Sequence, residues 1–70
     1  MLVKIETYFD GKSWCARGIG DDIFTQANTL DELYQNIQEA VSLHYGETGE
    51  PVTILTLSEV KLAGAKAPTG

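Results

Sequence analysis

Apolar residues in this chain repeat with two periods, and a single stretch of helical period lies among segments of strand period. Over residues 2–9 they alternate, which sets Val3, Ile5, Thr7 and Phe9 on one side of an extended segment. Over residues 30–44 they recur at three-and-four spacing, as Leu30, Leu33, Ile37, Ala40, Val41 and His44, the stripe of an amphipathic helix. Asp31, Gln35, Gln38 and Ser42 take the opposite side of that helix. One helix among several strands restricts the chain to an α+β fold in which the helix covers one sheet face.

Turn chemistry divides the rest. Asp10-Gly11 is a hairpin signal, because glycine tolerates positive φ and the aspartate can bond the turn backbone, so a second strand is predicted over 12–17. Residues 18–21 read as a loop and 23–27 as a third short strand, which completes an antiparallel meander. Thr29-Leu30-Asp31-Glu32 has a hydroxyl at the N-cap and a carboxylate three residues on, the pattern that satisfies free amides of a first helical turn. Gly46, Gly49 and Pro51 end the helix, and a last strand is predicted over 52–62. The order is β-β-β-α-β in one domain over 1–62, with 63–70 as a flexible tail.

At seventy residues, the apolar burial available roughly balances the entropy of ordering the chain, so a further constraint is expected. Cys15 is the only cysteine, which excludes an internal disulfide, and Cys15 with His44 cannot supply the four ligands of a structural zinc. No cofactor is implied. No secretory signal or transmembrane run is recognisable, so a cytoplasmic protein without membrane contact is expected. Self-association remains as the constraint. One helix leaves the second sheet face bare, and strand parity assigns Tyr8, Trp14 and Phe24 to it as an oligomer interface, by sheet stacking or by pairing of an open strand edge.

Charge narrows the partners. Five basic and ten acidic residues give a net charge of -5, and no lysine or arginine falls between Arg17 and Lys61. Asp21, Asp22, Asp31, Glu32, Glu39, Glu47, Glu50 and Glu59 all lie in that stretch. A surface of one sign repels phosphate backbones, so direct nucleic-acid binding is not expected, whereas a basic protein is attracted. The same charge also keeps a small protein soluble.

Catalytic signals are sparse. Gly18-Ile19-Gly20 lacks the third glycine of a nucleotide-binding loop. His44 falls at the helix C-terminus, where it complements the terminal carbonyls. Asp10, Asp21 and Asp22 fall in turns, where carboxylates cap backbone amides. Cys15 reads as a small apolar filler of the second strand. No catalytic residue or metal ligand is assigned, and the chain is not expected to be an enzyme.

Several stretches together resemble the HicB-like antitoxin domain. Asp10-Gly11-Lys12-Ser13-Trp14-Cys15-Ala16 resembles the family's acidic turn and aromatic strand; Thr25-Gln26-Ala27-Asn28-Thr29-Leu30-Asp31-Glu32 resembles its threonine-initiated helix start; Asn36-Ile37-Gln38-Glu39-Ala40-Val41 resembles its helix body. The likeness covers about residues 2–62 and departs at Ala27, where relatives often carry glycine, and at Leu33, where a smaller residue is common. It implies a small partial RNase H-like fold, in topology and not in activity, that binds and neutralises a small basic mRNA-cleaving toxin. Longer members add a DNA-binding segment, and the residues after 62 are too few for one, so operator binding is not expected.

The first expectation is therefore a non-catalytic, homo-oligomeric interaction module that offers Asp31, Glu32, Gln35 and Glu39 to a basic partner. The alternative is an orphan oligomer of structural or regulatory role with no toxin partner. A metal-dependent RNA hydrolase using Asp10 or Asp22 is the third reading and demands cleavage by the purified chain.

Overall fold

The computed structural model describes residues 1–46, 49–60, 62 and 64. The elements are β1 (Leu2–Phe9), β2 (Trp14–Gly18), β3 (Phe24–Ala27), α1 (Leu30–Tyr45) and β4 (Thr53–Ser58). They form an α+β fold with one sheet in the order β3-β2-β1-β4. β1 and β2, and β2 and β3, pair antiparallel, while β4 lies parallel to β1. The helix thus carries the chain from one edge of the sheet to the other.

Local chemistry explains the boundaries. Asp10 Oδ1 accepts from the amides of Lys12 at 2.9 Å and Ser13 at 2.8 Å, and Gly11 takes φ 101°. Those bonds hold Lys12 and Ser13 in the turn, so β2 begins at Trp14 rather than at residue 12. The Gly18 amide donates to the Ile23 carbonyl at 2.8 Å and closes the next loop, and β3 starts one residue later than predicted. Thr29 caps α1 by accepting from the Glu32 amide at 3.2 Å. Gly46, at φ 68°, ends it with its amide on the Ser42 carbonyl at 2.8 Å. β4 stops at Ser58 instead of running to 62, because its partner β1 turns away at Asp10; the Glu59 amide makes the last inward bond, to the Thr7 carbonyl at 2.9 Å. The predicted tail over 63–70 lies outside the described residues, Gly64 aside.

The core sits between α1 and the sheet. Val3, Ile5, Ala16 and Ile23 meet Leu33, Ile37 and Val41, all buried. Full burial of such side chains is worth roughly 1.5–3 kcal/mol each. Thr7 is the one buried polar residue among those described, and its hydroxyl is paired with Ser58 Oγ at 2.9 Å. His44 is exposed and Tyr45 takes the inward place at the end of the stripe, because Gly46 ends the helix just beyond it. The two rings meet edge to face at 4.8 Å.

Candidate interaction surface

Register decides which side chains share a face. Phe9 stands opposite Trp14, Thr7 opposite Ala16, and Tyr8 opposite Cys15. Trp14 therefore lies on the helix-covered face with Val3, Ile5 and Thr7, where it packs against the core. This corrects the assignment of Trp14 to the bare face beside Tyr8 and Phe24. The physical reason is parity across the hairpin: a turn of two residues and the observed turn of four both set Trp14 on the face of Phe9, and only an odd number of turn residues would set it with Tyr8.

Tyr8 and Phe24 do lie on the bare face, but not as one aromatic patch. Arg17 pairs with Phe24 across β2 and β3 and with Glu6 across β1 and β2. Its guanidinium stands 5.7 Å from the Tyr8 ring centroid and 3.3 Å from the Glu6 carboxylate. Both partners are solvent-accessible, so this ion pair contributes little to stability. It does place charge between the two rings. The apolar part of the bare face lies elsewhere, at Leu2, Leu55 and Leu57, where β1 and β4 run side by side.

At the hairpin end of the sheet, Tyr8, Phe9, Trp14, Glu59 and Val60 line an open cleft of about 560 Å³. Phe9 and Trp14 meet there with ring centroids 5.1 Å apart and planes tilted by 54°. Sequence reasoning missed this cleft, because it depends on β4 ending beside β1, a long-range pairing with no local signal. The acidic strip is simpler. Asp31, Glu32, Gln35 and Glu39 are all exposed on the side of α1 opposite Leu33, Ile37 and Val41. The structure thus sets on one exposed side of the helix the four residues that the sequence reading offered to a partner.

Hydrogen bonds from the Ser13 and Lys12 amides hold the Asp10 carboxyl below its ordinary range. Burial, then the hydrogen bond to Asp10 Oδ2 at 3.5 Å, pushes the Cys15 thiol up. The Asp21 carboxylate beside the Tyr45 hydroxyl raises that phenol. Asp22 and His44 border one shallow cleft with Phe24 and Leu43. Among the described residues, no group of three or more His, Cys, Asp or Glu side chains is placed to hold a metal ion. No described helix is long and apolar enough to cross a membrane.

A small α+β domain with one sheet face covered by its helix and an acidic strip along that helix is the class that this geometry defines. A UPF0150 protein of Archaeoglobus fulgidus is 40% identical to this chain over 51 residues, which span 73% of this chain and 74% of that protein. The chain belongs to the UPF0150 family. No family model matches it, and no solved structure matches it.

Proposed function

We propose that this chain is a non-catalytic protein-interaction module of the HicB antitoxin type, which neutralises a small basic mRNA-cleaving toxin. The observation that carries the reading is the strip of Asp31, Glu32, Gln35 and Glu39. It is exposed, aligned along one side of α1, and set in a stretch without lysine or arginine from residue 18 to residue 60. Such a strip draws a cationic protein by long-range attraction and fixes its orientation by short contacts. It repels nucleic acid. Self-association through the part of the sheet that α1 leaves bare completes the proposal, as a dimer or a higher oligomer.

Capture at low salt and co-expression test the reading. The immobilised chain is expected to retain a small basic ribonuclease encoded beside it, and to release it as ionic strength rises past about 0.15 M, where screening shortens to about 8 Å. Reversing Glu32 and Glu39 to lysine together is expected to abolish capture without unfolding the chain. Co-expression is expected to restore growth of cells that make the ribonuclease. Capture that ignores the double reversal overturns the acidic strip as the binding surface, and failure to restore growth overturns the antitoxin reading.

A further inference from the structure

The sheet ends in two edge strands that differ in kind. β3 has four residues and follows the acidic pair Asp21-Asp22. Its outward carbonyl at Gln26 is already occupied, by the Asn36 side-chain amide of α1 at 3.2 Å. Short length, adjacent charge and a bonded edge carbonyl are ways in which proteins blunt a sheet edge. β4 is longer and uncharged within, although Glu59 follows it directly. It is Thr53-Ile54-Leu55-Thr56-Leu57-Ser58, six residues without a charge, a proline or a glycine, rich in β-branched side chains.

β4 is also uncovered on more than its edge. Leu55 and Leu57 are about half exposed on the bare face, at 44% and 47%. On the other face, α1 leaves open clefts along Ile54 and Thr56, of about 370 Å³ beside Val41 and Tyr45 and about 190 Å³ beside Tyr34 and Ile37. Apolar residues at both parities are the mark of a strand enclosed by neighbours. Here such a strand lies outermost.

The backbone fixes which groups face out. The amides of Thr53 and Glu59 donate inward to the carbonyls of Met1 and Thr7. Strand alternation then turns the N–H and C=O groups of Ile54, Thr56 and Ser58 away from β1. We infer that β4 pairs antiparallel with β4 of a second copy about a two-fold axis at Thr56, joining two four-stranded sheets into one continuous sheet. This rests on the self-association part of the function proposed above and locates it.

Three features favour a second copy over another partner. Pairing about Thr56 sets Leu55 opposite Leu57 of the other copy, twice, in the non-hydrogen-bonded positions where side chains approach most closely. It sets Ile54 opposite Ser58. The six residues of each β4 carry no charge, and the nearest carboxylates, the two Glu59 side chains, fall opposite Thr53 at the far ends of the junction rather than at its axis. The acidic strip on α1 lies on the outer side of the helix and stays free for a different partner.

Sedimentation equilibrium across a concentration series tests the pairing. The wild-type chain is expected to dimerise. Thr56→Pro removes an outward amide in each copy and leaves the bonds to β1 in place, and Thr56→Lys places two cations at the axis. Each is expected to raise the dimer dissociation constant about a hundredfold, with a monomer that keeps its far-ultraviolet circular dichroism. Phe24→Ser, remote from β4, is expected to leave association unchanged. If Thr56→Pro fails to fold, Thr56→Lys carries the test. A dimer indifferent to both Thr56 variants overturns edge pairing while self-association stands; a wild-type chain that is monomeric at every concentration overturns self-association itself, and capture of the basic partner is measured separately.

Discussion

The two faces of this sheet are made by the same strands and are treated differently by the fold. On the covered face Val3, Ile5, Thr7 and Ala16 are almost completely buried. On the bare face Leu2, Phe24, Leu55 and Leu57 remain 44–59% exposed, and Cys15 alone of the residues described there is buried. The contrast separates what holds the monomer together from what is available to other chains. The covered face concentrates apolar contact under one helix, whereas the bare face splits into a charged half around Arg17 and Glu6 and a leucine-bearing half along β4. Stability is thus carried on one side, while the other leaves apolar area open.

The most direct way to break that division is to open the covered face. Leu33 is fully buried in the middle of the helical stripe, between the sheet and the neighbouring turns. Leu33→Ala removes three carbons and leaves a cavity, a change expected to cost about 3 kcal/mol. A domain of this size holds roughly 5 kcal/mol in total. Urea unfolding of the variant is therefore expected to begin near zero denaturant. A midpoint within experimental error of the wild type would mean that the helix does not carry the core.

A second pair of substitutions compares the faces at matched chemistry. Trp14→Ser, on the covered face, removes a ring that packs on the core and on Phe9, and is expected to cost about 2 kcal/mol. Phe24→Ser, on the bare face, is expected to stay within about 0.5 kcal/mol when measured on the monomer. Equal costs would show that the register does not divide the two rings as described.

That division was read from the sequence only in part. The strands, the helix and its ends were legible because each is written locally: alternation over residues 2–9, the Thr29 cap, and Gly46 at positive φ. The acidic strip was legible for the same reason, as the polar complement of the helical stripe. The face of Trp14 was written there too, because a two-residue turn at Asp10-Gly11 and the observed four-residue turn both set it with Phe9, and its assignment beside Tyr8 implied an odd loop that neither gives. β4 is a different case. Its apolar residues at both parities left its place in the sheet open, and long-range parallel pairing sets it outside β1. Nothing local to residues 52–62 of the sequence tells a central strand from an edge strand.

The even-numbered turn at Asp10 underlies the comparison, and its contribution can be sharpened by pH. The Ser13 and Lys12 amides hold the folded carboxyl below its ordinary value of 3.8, so the folded chain binds a proton there less readily than the unfolded chain. By linkage, a depressed folded pKa stabilises the fold above the unfolded value, and that contribution is lost as pH falls through the lower folded value. Asp10→Asn keeps an acceptor oxygen and removes the charge. The variant is expected to be slightly less stable than the wild type near neutral pH, and the gap between their urea midpoints is expected to close as the acid limb is crossed. The effect is small, because the carboxylate is fully exposed. A gap that stays constant through the acid limb would assign the turn to the geometry of the side chain rather than to its charge, and the four-residue loop that sends Trp14 to the covered face would then survive protonation unchanged.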